Sequence, residues 1–111
     1  MPGTPLVFFN VSSTSSTQST LMLGKPAIIK DGMVDTTGSV NAFLQWYDAT
    51  STVGLTIGTT PPYQITFVSP GDNDPIRCGA GMAFYKGICA TATTTPTGTV
   101  GIICTVSIIV E

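Results

Sequence analysis

The chain has 111 residues, enough for one hydrophobic core and too few for two. Hydrophobic side chains make up 42% of it and charged ones 9%, well below the roughly 25% charged residues of an ordinary soluble domain. Four scattered cations, Lys25, Lys30, Arg77 and Lys86, cannot build the basic stripe that phosphate neutralisation needs, so direct nucleic-acid binding is not expected.

No run of 18 apolar residues occurs, so no membrane-spanning helix is expected. The opening Met1-Pro2-Gly3-Thr4-Pro5 has neither a basic stretch nor a long apolar one and does not read as a secretory signal, which predicts synthesis and folding in a cytoplasm. Ser and Thr supply about a quarter of the chain, so its polar surface is made of hydroxyls and amides more than of charges. A monomer kept apart from its neighbours usually carries more charge. The shortage suggests that other protein covers much of this surface, although a secreted Thr-rich domain has the same composition.

Helical periodicity is nearly absent, while Thr, Val and Ile, whose branched Cβ favours extended backbone, dominate between frequent Gly and Pro. Pro5 to Val11 reads as a first strand. Ser12 to Thr20 is an almost unbroken hydroxyl run of the kind that makes flexible, solvated tethers. Residues 1–20 are therefore read as an N-terminal strand or arm ahead of a β-sandwich over 21–111. In the arm version, Leu6, Val7, Phe8 and Phe9 are a docking strand for a neighbouring subunit. In the other, they are the first strand of the sandwich.

Leu21 to Leu23, Ala27 to Lys30 and Met33 to Thr37 are short strand candidates. Val40 to Asp48 is a long one, with Val40, Ala42, Leu44 and Trp46 on one face and Asn41, Phe43, Gln45 and Tyr47 on the other. Gly54 to Gly58 reads as a short strand, Thr59-Thr60-Pro61-Pro62 as a corner, and Tyr63 to Val68 as a strand with Tyr63, Ile65 and Phe67 facing one way. Ser69 to Pro75 is a polar loop and Gly81 to Lys86 a further strand. Gly87 to Thr95 is expected to pair with Val100 to Val110 as an antiparallel hairpin through Thr95-Pro96-Thr97-Gly98, since Pro followed by Gly is turn chemistry. In that last strand Val100, Ile102, Cys104, Val106, Ile108 and Val110 form an apolar core face. Ile103 and Ile109 lie on the opposite side and mark it as partly covered.

The chain has no histidine, which removes the commonest general base and most nucleophile and zinc arrangements. Cys78, Cys89 and Cys104 are an odd set without paired spacing. They read as small buried side chains in a reducing compartment, with a Cys89–Cys104 bridge as the alternative. Neither Asp72-Asn73-Asp74 nor Asp31 with Asp35 offers enough oxygens for calcium alone, and Asp72-Asn73-Asp74-Pro75 also reads as an ordinary turn. Trp46-Tyr47-Asp48 is the one place where a carboxylate neighbours a potential aromatic sugar platform. No enzyme activity, metal or cofactor is expected.

From Val40 onward the chain resembles small all-β virion proteins of tailed bacteriophages, of the capsid cement or decoration type. The resemblance rests on four features: Phe43-Leu44-Gln45-Trp46-Tyr47-Asp48, the Gly58-Thr59-Thr60-Pro61-Pro62 corner, the Phe84-Tyr85-Lys86-Gly87-Ile88-Cys89-Ala90-Thr91-Ala92-Thr93 stretch, and the closing strand from Thr99 to Val110. It implies a β-sandwich that binds the outside of a capsid or joins other virion parts.

The fold expected is an antiparallel, jelly-roll-like β-sandwich of about seven or eight strands. The function expected is a virion cement protein, a dimer or trimer bound to the major capsid protein or other virion subunits. Leu6, Val7, Phe8, Phe9, Ile103 and Ile109 are its interface candidates, and neither nucleic acid nor membrane is expected as a partner. A neck, tail or baseplate component is one alternative. A carbohydrate-binding or adhesion module using Trp46, Tyr47, Tyr63 and Tyr85 is another.

Overall fold

The computed structural model describes residues 20–36, 41–71, 74–76, 79–102 and 104–111, together with the backbone of residues 4–9. The elements among them are all strands: β1 (Thr4–Phe9), β2 (Thr20–Leu23), β3 (Ala27–Thr36), β4 (Ala42–Asp48), β5 (Gln64–Val68), β6 (Asp74–Pro75), β7 (Met82–Phe84), β8 (Ile88–Thr93) and β9 (Cys104–Val110). They form two antiparallel sheets. One runs β1-β9-β3 and ends in β6 and β7, which pair side by side along β3; the other runs β2-β8-β4-β5. With β6 and β7 taken as two pieces of one interrupted edge strand, eight strands exchange between sheets in jelly-roll order.

The alternation of side chains explains why these segments pair face to face. Ile29, Val34, Cys104, Val106, Ile108 and Phe84 from the first sheet meet Leu44, Trp46, Val68, Ile88, Ala90 and Ala92 from the second in one buried cluster. Trp46 stands opposite Ala90, and Leu44 opposite Ala92. The small alanines on β8 leave room for the indole, whose ring lies 6.0 Å from that of Phe84 across the sandwich. The indole N–H donates to Thr66 Oγ1 at 2.9 Å, so the core's largest side chain is also satisfied as a donor.

Two segments read separately in sequence are one strand. Between Ile29 and Asp31 the pairing of β3 with β9 shifts register, leaving Lys30 and Asp31 both exposed. Strict alternation would send Val34 outward if Ile29 points inward. The bulge moves the phase by one residue, and both reach the core. β2 carries a similar shift around Met22, which is buried.

β1 takes the outer position beside β9, with Leu6 opposite Ile108 and Phe8 opposite Val106, and with Val7 opposite Ser107 and Phe9 opposite Thr105. Residues 4–9 therefore serve as the first strand of the sandwich within this chain. The hydroxyl run, apart from Thr20, and Val40 lie outside the described residues.

Three sequence expectations are corrected. β8 and β9 are not a hairpin: they lie in different sheets, and among the described residues the backbone bonds that join their ends are the Thr93–Gly101 bridge and those from Thr94 N to Val100 O and Ile102 N to Ala92 O. The turn forms locally, but the chain then crosses from one sheet to the other, so Val100 is exposed, while Ile102 is partly buried against the core ahead of Cys104. Residues 54–58 form turns, with Gly54 and Gly58 at φ 86° and 88°, a left-handed conformation that no ladder accepts. Tyr63 does not share the face of Ile65 and Phe67. It precedes β5 and packs its ring 5.3 Å from Phe84 at the rim of the sandwich.

Because Ala90 is fully buried against Trp46, Ala90→Leu should overpack the core and destabilise the protein by about 1–3 kcal/mol. Urea unfolding followed by Trp46 fluorescence measures this, and an unchanged midpoint would show that the space beside the indole is not filled.

Candidate interaction surfaces

β4 and β8 are buried on their outer face as well as their inner one. Tyr47 and Cys89, paired across the two strands, are covered by Ile57 and Leu55 from the long connection between β4 and β5. Next to them Gln45 Nε2 donates to Thr93 Oγ1 at 2.8 Å and to Gly98 O at 3.1 Å, while Gln45 Oε1 accepts the Tyr47 hydroxyl at 2.9 Å. Every polar group of the buried amide is used, so it is a structural tie and not an open binding group. The hollow above it, about 210 Å³ and lined by Gly58 to Pro62 and Thr97, is smaller than the roughly 300 Å³ at which small-molecule pockets begin.

The carboxylate of Asp48, at the end of β4, closes the junction with the turn before β8. Its Oδ1 accepts the backbone N–H groups of Lys86 and Gly87 at 2.8 and 3.3 Å. Burial works to raise its pKa, but the backbone N–H groups of Lys86, Tyr85 and Gly87 and the Lys86 charge outweigh that and hold it below 3.8. Asp48 is thus engaged in fixing the turn.

The aromatic set proposed for sugar stacking is divided. Trp46 and Tyr47 are buried and offer no ring face to a ligand. Tyr63 and Tyr85 are exposed, and the Tyr63 hydroxyl donates to Ala83 O at 2.6 Å.

The acidic clusters are likewise used locally. Asp31 Oδ1 accepts from Gly32 N, and Asp74 Oδ2 accepts from Ser69 N, while Asp72 and Asn73 lie outside the described residues. Among the described residues no three His, Cys, Asp or Glu side chains come together as a metal site.

Cys89 and Cys104 are free buried thiols, which corrects the alternative of a bridge between them. Cys89 packs on the outer side of the second sheet and Cys104 in the core between the sheets, so the sheet itself separates them. Burial raises both pKa values, that of Cys104 from 9.0 to about 11. Cys78 lies outside the described residues.

The surface also presents apolar side chains. On the outer face of the first sheet Ile28, Met33 and Ile109 are 37%, 48% and 37% exposed. Ile109 stands in register between Pro5 and Asp31, and Met33 is the neighbour of Ser107. Of the interface candidates read from sequence, Ile109 is therefore on this face. Leu6, Val7, Phe8 and Phe9 are placed by backbone register alone, and Ile103 lies outside the described residues.

A second apolar strip lies on β5, where the sequence marks the alternation but not the exposure. Ile65 and Phe67 on β5 are 42% and 44% exposed, and Phe67 packs edge to face on Phe43 at 5.4 Å. Their alternation was legible, but nothing in it said that this face of the strand was the outer one.

Compared with protein-family models, with curated proteins and with solved structures, the chain matches none.

The buried thiol of Cys104 gives a pH dependence with a defined sign. Its folded pKa lies above the unfolded value, so the stability it contributes is complete below about pH 9 and is lost as pH rises towards 11. Urea midpoints between pH 8 and about 11 should fall more steeply in the wild type than in Cys104→Ala. Parallel curves would show that Cys104 is not the buried thiol described.

Proposed function

We propose that this protein is a virion structural protein, a capsid cement or decoration subunit that stabilises a shell by binding its outer surface. One observation carries the reading: a jelly-roll body whose buried polar side chains, among the described residues, all have hydrogen-bond partners presents Ile28, Met33 and Ile109 together on one outer face, in a chain of only four basic and six acidic residues. Exposed apolar side chains grouped on one face mark protein contact. Few charges keep the desolvation cost of such a contact low.

Many copies on a shell multiply a modest contact energy, so no single interface has to be large. The jelly roll occurs in viral structural domains and also in lectins, and the fold alone does not choose between them. The burial of Trp46 and Tyr47 leaves the sugar-binding alternative only Tyr63 and Tyr85.

The test is reconstitution onto capsids that lack the protein. Wild-type protein should bind and raise the temperature at which the shells open. Met33→Lys combined with Ile109→Lys should fold normally, since both positions are exposed, and lose at least about tenfold in affinity, the cost of one to two buried apolar side chains. Wild-type protein that leaves capsids bare, or a variant that binds undiminished, would contradict the reading.

A further inference from the structure

Four stretches border the open sides of the two sheets: β1 and the β6/β7 pair in one, β2 and β5 in the other. An edge strand carries a row of unpaired N–H and C=O groups, and proteins normally blunt it with a proline, a charge, a bulge or a break. Three of the four edges carry such a device. β1 contains Pro5, which has no N–H; β2 is bulged at Met22; and the β6/β7 edge is broken in two and contains Asp74 and Pro75.

β5 has none of these. Its sequence, Gln64-Ile65-Thr66-Phe67-Val68, is free of charge and proline, and it keeps one unbroken register over five pairs with β4. Among the described residues its backbone pairs with β4 alone.

We propose that β5 pairs with β5 of a second copy of this chain, antiparallel about a two-fold axis at Thr66, joining two four-stranded sheets into one of eight strands. The strand suits itself better than it suits a partner of other chemistry. With Thr66 on the axis, Ile65 lies opposite the partner's Phe67 and Phe67 opposite the partner's Ile65, so the exposed apolar residues meet twice over. The Phe43–Phe67 ring pair continues into that contact. An acidic or basic peptide finds no counter-charge on the strand, whereas an identical strand brings no like charges together.

The pairing gives the self-association within the assembly reading a surface, and rests on that reading only for its biological setting. A wild-type monomer that binds capsids overturns the pairing and leaves the reading intact; a dimer that ignores capsids does the reverse.

The experiment is sedimentation velocity of the wild-type chain across the micromolar range, alongside two double variants, Ile65→Lys/Phe67→Lys and Ile65→Glu/Phe67→Glu. Wild type should dimerise. Each variant alone should dissociate at least tenfold more readily, with Trp46 fluorescence unchanged, and a mixture of the two should form mixed dimers because opposite charges then face each other. Hydrogen exchange on the wild type needs no variant: protection of residues 64–68 should rise with protein concentration. A wild-type monomer, a dimer indifferent to the substitutions, a mixture that stays monomeric, or concentration-independent exchange in β5 would each overturn the pairing.

Discussion

The arrangement depends on β4 and β8 being buried on both faces. Every residue of β8 is buried, and in β4 only Phe43 and Asp48 are not. The inner faces supply Leu44, Trp46, Ile88, Ala90 and Ala92 to the sandwich core, while the outer faces carry Gln45, Tyr47, Cys89, Thr91 and Thr93, which must be covered and hydrogen-bonded. A buried amide left without partners costs about 1–3 kcal/mol, and Gln45 avoids that cost only if Tyr47, Thr93 and the Gly98 carbonyl all hold their places. The connection that brings Leu55 and Ile57 over Tyr47 and the turn that brings Gly98 to Gln45 are thus parts of one requirement.

This requirement also decides where adhesive surface remains. The centre of the second sheet is closed by its own loops, so the exposed apolar side chains that lie on strands are found on its β5 and β2 edges and on the outer face of the other sheet. The proposed role follows from that distribution: the molecule offers faces and an edge, while its buried polar groups serve its own fold.

Much of the fold was legible because alternation is a strong signal wherever one face is buried. The run from Cys104 to Val110 alternates without fault, and Ala42, Leu44 and Trp46 announce the core face of β4. β3 was seen as two fragments because a bulge breaks the alternation that sequence reading relies on. The false hairpin has a different cause. Turn chemistry at Thr95 to Gly98 is local, but which strand β9 pairs with is settled by the competition among β1, β3 and β8 for its edges, and that competition involves contacts far apart in sequence. The second burial of β4 was hidden for the same reason: Gln45 and Tyr47 look like a solvated face until Ile57 is placed over it. Of the surface candidates, Ile109 was found through its apolar outlier position, whereas Ile65 and Phe67 had no signal separating an outer face from an inner one.

Native-state hydrogen exchange tests the double burial most directly. The amides of residues 44–47 and 88–93 should exchange slowest in the molecule and only through global unfolding, well behind those of the edge strands β1 and β2. Exchange of β4 and β8 at the rate of those edges would mean that the outer cover opens independently, and that the two strands are not the shared centre of the structure.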